Sequence, residues 1–148
     1  MLLSLAFSYV ATVAFGVLFM APRKVLPVIG ITGMLGWFCY KVLLEYFLFS
    51  PSFSIFCGTV LLALTSEVLA RIYKKPVTIF SIPGIVPLVP GIYVYQGMYF
   101  IMANEYALGM EKLLRAFLDA GAISVGILLV SGLFRILKTS ASNVTPEN

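Results

Sequence analysis

The amino-acid sequence predicts an all-α fold, a polytopic integral membrane protein of about five transmembrane helices with a proline-broken fourth span. Three observations lead to it. The chain is 61% hydrophobic and 11% charged, with a mean hydropathy of +1.04, more apolar surface than a soluble domain of 148 residues can bury. Its charges gather in clusters between long apolar runs instead of marking every helical turn. The clusters also alternate in Lys and Arg content, as loops on the two sides of a membrane do.

Residues 1–22 carry no charge and are long enough, at about 1.5 Å per residue, to cross a hydrocarbon layer of roughly 30 Å. No basic stretch precedes them, and Arg23 and Lys24 follow, so they read as a retained span and not as a signal peptide. The second segment is uncharged from Val25 to Tyr40 and continues to about Glu45, with Lys41 and Glu45 at i,i+4. An interfacial helix is the alternative there, because the charge-free part is short and contains Gly30, Gly33 and Gly36. A turn at Ser50, Pro51 and Ser52 opens the third segment, apolar from Phe53 to Glu67 and closed by Arg71, Lys74 and Lys75.

The fourth segment, Pro76 to Asn104, is uncharged and interrupted by Pro83, Gly84, Pro87, Pro90 and Gly91. The mixed-charge stretch with Glu105, Glu111, Lys112, Arg115 and Asp119 reads as a loop before a fifth segment, Ala120 to Phe134, which Arg135 and Lys138 close. Residues 1–138 thus form the membrane domain and residues 139–148 a polar cytoplasmic tail. Loop charge places the N-terminus outside and the C-terminus in the cytoplasm of a multi-pass cell-membrane protein.

The same composition removes several function classes. The excess of ten Lys and Arg over six Asp and Glu is loop chemistry, and no nucleic-acid partner is expected. Cys39 and Cys57 lie in apolar segments, where a thiol is a small hydrophobe and no structural disulfide is expected. The absence of histidine excludes a His proton relay, a His metal ligand and a Ser/His/Asp triad. With no nucleophile constellation, metal cluster or phosphate loop, the chain reads as a non-enzyme without cofactor or metal.

The chemistry-bearing run is Ser81 to Gly91. Its three prolines remove three backbone donors, which in a helix deprives the carbonyls of Pro83 and Val86 of their usual partners. Counted from Pro76, the run lies roughly 10 to 22 Å into the span, near the midplane, where transporters build substrate sites from broken helices. Freed carbonyls suit an ammonium or cation, and the amides opening the half-helix after Gly91 suit a carboxylate. The substrate-binding candidates are Pro83, Gly84, Pro87, Pro90, Gly91, Tyr95 and Gln96, with Tyr93 and Tyr99 beside them; a packing kink and interfacial tyrosine anchors are the plainer readings.

Ionisable groups at membrane depth are costly, so two carboxylates are candidates for proton coupling. Glu67 stands first, on a face with Ala63, Ser66, Ala70 and Arg71; a snorkelling ion pair with Arg71 is the alternative. Asp119 follows, one turn after Arg115, and there a structural ion pair is the alternative. Ala116, Ala120 and Ser124 form a small-residue ridge for close helix packing.

The run Pro87, Leu88, Val89, Pro90, Gly91, preceded by Glu67, Ala70, Arg71, Pro76 and Phe80, resembles the signature of the threonine/serine exporter family. The likeness covers nearly the whole chain and corresponds to the C-terminal membrane half of full-length members, or to the smaller subunit where the two halves are separate proteins. It implies export of threonine and serine, or in some split systems of dicarboxylates such as succinate, driven by the proton gradient. It also implies a larger membrane subunit as partner. A non-transporting assembly or regulatory membrane subunit is the rival reading.

Overall fold

The computed structural model describes the backbone of residues 1–142 and the side chains of residues 1–136. It contains six α-helices and no strand among the described residues: α1 (Leu2–Leu18), α2 (Leu26–Glu45), α3 (Pro51–Ile72), α4 (Thr78–Ile85), α5 (Gly91–Met102) and α6 (Tyr106–Ser142). Three helical stretches, Arg23–Glu45, Pro51–Ile72 and Tyr106–Ile136, are long and apolar enough to cross a membrane. The second predicted segment therefore has the length and composition of a span. The stretches Thr78–Leu88 and Gly91–Met102 qualify together as a fourth, bent by 49°. α1 is a shorter apolar helix of 17 residues.

Helix ends follow from local chemistry. Ser50 caps α3, its hydroxyl accepting from the Phe53 amide at 3.4 Å, and Pro51 takes the first helical position, where a missing N–H costs nothing. Met20, Lys74 and Asn104 adopt positive φ after α1, α3 and α5. The next amide then reaches back five residues in each case, from Ala21 to Gly16 O (2.9 Å), Lys75 to Ala70 O (3.0 Å) and Glu105 to Phe100 O (2.9 Å). These bonds satisfy terminal carbonyls that an apolar surrounding could not.

α1 and α2 run antiparallel, with Ser8 Oγ donating to Gly33 O at 3.2 Å. α2 and α3 cross closely at Gly36 and Gly58, where a methyl on Gly58 would stand 2.7 Å from the Gly36 carbonyl oxygen. α4 lies on both, its Phe80 carbonyl accepting from Thr32 Oγ1 at 3.3 Å. Small and hydroxylated residues thus pack these helices, as expected where lipid removes the hydrophobic drive for helix association. Val25, Ile29, Ala70 and Phe80 form one buried cluster, and Ile55, Leu62, Leu88 and Ile123 a second.

Two expectations about the C-terminal region change. The stretch Glu105–Asp119 is not a loop: from Tyr106 onward it is the first part of α6, so the fifth segment begins well before Ala120. Glu111, Arg115 and Asp119 recur every fourth residue and fall on one helical face, where α5 and α3 receive two of them. α6 also continues past Lys138 to Ser142, so the tail drawn over 139–148 begins as helix; its remainder lies outside the described residues.

α3 and α6 run in the same direction, since Ser52 meets Asp119 and Arg71 meets Phe134. α5 runs antiparallel to the start of α6, with Gly97 against Leu113 and Gly109. Residues 106–118 of α6 therefore project past the N-terminal end of α3, paired with α5 in a helical hairpin.

Candidate functional site

The break in the fourth span forms because α4 cannot continue through Pro87 and Pro90. Val86–Leu88 tightens into a 3₁₀ turn, Val89 is extended, and α5 restarts at Gly91. The tightening has a consequence for the freed carbonyls. Pro83 O accepts from the Val86 amide, and Val86 O accepts from the Val89 amide at 3.3 Å. Both carbonyls thus gain i+3 partners in place of the lost i+4 ones, which corrects the expectation that they stand open for a cation.

The charge at the break comes from another helix. A cavity of about 340 Å³ lies beneath it, lined by Trp37 and Tyr40 of α2, Ile55 of α3, Pro87 to Pro90, Ile92, Tyr93 and Gln96, and Asp119 of α6. Asp119 is wholly buried. Its Oδ1 accepts from Ser52 Oγ at 2.6 Å, and its Oδ2 has no hydrogen-bond partner among the described residues. Trp37 Nε1 is likewise buried without an acceptor. A buried carboxylate oxygen and a buried indole N–H without protein partners are groups whose desolvation the described residues leave uncompensated.

Arg115, one turn before Asp119, does not pair with it. Its guanidinium lies over the Tyr93 ring, 4.6 Å from the centroid. Lys41 is taken by Glu45 at 2.6 Å. Ile55 lies 16 residues before Arg71 on α3, so the cavity sits roughly 24 Å along that helix from the Arg71 level. That is nearer the far end of α3 than its middle, further out than the midplane expected from counting along the fourth span alone.

The predicted site residues separate. Pro87, Pro90, Gln96 and Asp119 come together at the cavity. Pro83 and Gly84 are buried one turn away in the helix packing, where a methyl on Gly84 would meet Thr32 Oγ1 at 2.8 Å and Leu62 at 3.3 Å. Gly91 is exposed and Tyr95 is 71% exposed, both outside the cavity lining. Glu67 is half-buried on α3 and forms no ion pair with Arg71 among the described residues; the Arg71 guanidinium lies 4.5 Å from the Phe134 ring centroid.

Reading the sequence missed Trp37, Tyr40 and Ser52. Ser52 had a usable signal: Ser50 and Pro51 are a helix start, which puts Ser52 on the first turn of α3 and not in a turn. Trp37 and Tyr40 are four and one residues before Lys41 on a segment read only for hydropathy, and only the tertiary fold brings them to the break.

No solved structure matches the chain significantly. It is 26% identical over 129 residues to a threonine/serine exporter of Corynebacterium glutamicum, an alignment that covers 87% of this chain and 26% of that relative's length. The family profile described as Threonine/Serine exporter, ThrE, matches residues 4–133, a range that includes the break, the cavity and Asp119. The chain therefore belongs to the threonine/serine exporter family, a family of membrane transporters and not of enzymes.

Proposed function

We propose that the chain is the smaller membrane subunit of a proton-driven exporter of small amino acids, threonine and serine, completed by a larger membrane subunit. The observation that carries the reading is Asp119, a buried carboxylate with one unpartnered oxygen at a cavity under a broken helix. Such an oxygen accepts either a proton or the ammonium group of an amino acid. The two compete for it. Arrival of a proton from outside therefore releases the amino acid, and loss of the proton inside re-forms the site, which is exchange at one carboxylate. Tyr40, Tyr93 and Gln96 line the cavity with it, Ser52 donates to it, and Arg115 lies over the Tyr93 ring. A dicarboxylate would set a second anion against Asp119, which disfavours that substrate class.

Two features support a partner. The chain spans about a quarter of its relative's length, and transporters of this kind build their site between two repeats or halves. The ridge expected from Ala116, Ala120 and Ser124 divides: Ala116 is buried within the chain, while Ala120 and Ser124 are exposed beside Gly121, which has open space around it. That outer stripe suits close approach of another helix. The five-span arrangement with the N-terminus outside is supported by the collection of Arg23, Lys24, Arg71, Lys74, Lys75 and Arg135 towards one end of the helices.

The test is L-threonine efflux from proteoliposomes that hold the chain alone or with the larger subunit. Saturable efflux driven by a pH gradient is expected only with both. Efflux by the chain alone would overturn the two-subunit reading, and no efflux from either would overturn the exporter reading.

A further inference from the structure

Arg115 and Asp119 stand at i,i+4 on α6, a spacing that brings side chains of opposite charge within reach, about 6 Å between Cβ atoms. They nevertheless form no ion pair among the described residues. Each is held by a different neighbour: Asp119 by Ser52 of α3 at 2.6 Å, and Arg115 by the ring of Tyr93 of α5 at 4.6 Å. Tyr93 and Asp119 both line the cavity beneath the break. Tyr40 of the facing helix α2 lines it with them. Asp119 thus sets an anion on the α6 side of the cavity, and the Arg115 guanidinium lies against Tyr93, a residue that lines it.

We propose that Arg115 is the specificity-determining second charge of this site, receiving the carboxylate of a zwitterionic substrate whose ammonium group sits on Asp119. The inference rests on the amino-acid exporter reading and deepens it by assigning recognition of the substrate's carboxylate. A guanidinium held over an aromatic ring spends none of its N–H donors on a carboxylate, and arginine can present them to one bidentately. A free amine would satisfy Asp119 and leave Arg115 unmatched; a dicarboxylate would satisfy Arg115 and oppose Asp119.

The experiment is counterflow of radiolabelled L-threonine in proteoliposomes holding the chain with its larger subunit, competed by L-threonine, by L-threoninol, in which the carboxylate is an alcohol, and by succinate. In the unaltered protein L-threonine should compete best and succinate worst. Arg115→Gln should raise the half-maximal concentration of L-threonine roughly ten- to hundredfold, the loss of one charge-assisted pair, and leave that of L-threoninol within about threefold. Arg115→Lys should recover part of the loss, because the charge returns without the fork. Equal shifts for both competitors, or none, would overturn the role of Arg115 while threonine counterflow in the unaltered protein left the exporter reading standing. Absence of that counterflow in the unaltered protein would overturn the exporter reading itself.

Discussion

Two carboxylates in this chain look alike in sequence and differ in their surroundings. Glu67 and Asp119 each lie four residues from an arginine in an apolar helix. On α3, Glu67 is half-buried near the end where the basic residues collect, and Arg71 turns away to Phe134. On α6, Asp119 is wholly buried at the far end, tied to Ser52 through one oxygen and bare at the other. Ionisable residues within helices of this kind are expensive, but the cost depends on depth and partners, and a group able to reach an interface avoids most of it. The difference lies in burial: Asp119 keeps one bare oxygen where water is excluded, and Glu67 lies half-buried near a helix end, so the proposed proton coupling is assigned to Asp119.

The comparison breaks most visibly at Asp119. Asp119→Asn preserves shape and the acceptor for Ser52 but removes the charge. Threonine efflux normalised to membrane abundance should fall about ten- to hundredfold, as for loss of a charged hydrogen-bond partner, and what remains should lose its pH dependence. Efflux near the unaltered level would return Asp119 to a structural role. A smaller effect is expected at the break itself. Pro87→Ala with Pro90→Ala restores two amide donors and allows α4 to run on into α5, which would straighten the 49° bend that walls the cavity. Efflux should drop several-fold with insertion and abundance unchanged, and normal efflux would show that the bend serves packing alone. The smallest effect sharpens the comparison from its other side: Glu67→Gln should change efflux by less than about twofold, as for a half-buried charge that forms no ion pair among the described residues. A loss equal to that of Asp119→Asn would make the two carboxylates equivalent and remove the distinction.

The fold was largely readable in the residues because a membrane leaves so few options for backbone hydrogen bonding. Apolar length located α2 and α3, and Pro87 and Pro90 located the break, since a missing N–H is a local fact. The start of α6 was not readable from hydropathy: Glu111, Lys112 and Arg115 dilute it, and only their helical spacing, with Arg115 and Asp119 received by Tyr93 and Ser52, identifies the stretch as helix. The site was half legible. Pro87, Pro90, Gln96 and Asp119 carry their own signals of broken backbone, polarity or charge, whereas Trp37 and Tyr40 become site residues only because the Gly36–Gly58 crossing sets α2 against α3 at that level. The carbonyl-based cation site failed as an expectation for a local reason as well: a 3₁₀ turn re-pairs Pro83 and Val86 without outside help.

The central claim is that the cavity between the break and Asp119 holds the substrate. Gln96 lines it and can be replaced by cysteine in a background lacking Cys39 and Cys57. In membranes containing the exporter with its larger subunit, L-threonine should slow modification of Gln96→Cys by the permeant reagent N-ethylmaleimide, and adding Asp119→Asn should abolish that protection. Modification at the same rate with and without saturating L-threonine, in a Gln96→Cys exporter that still transports it, would contradict the account.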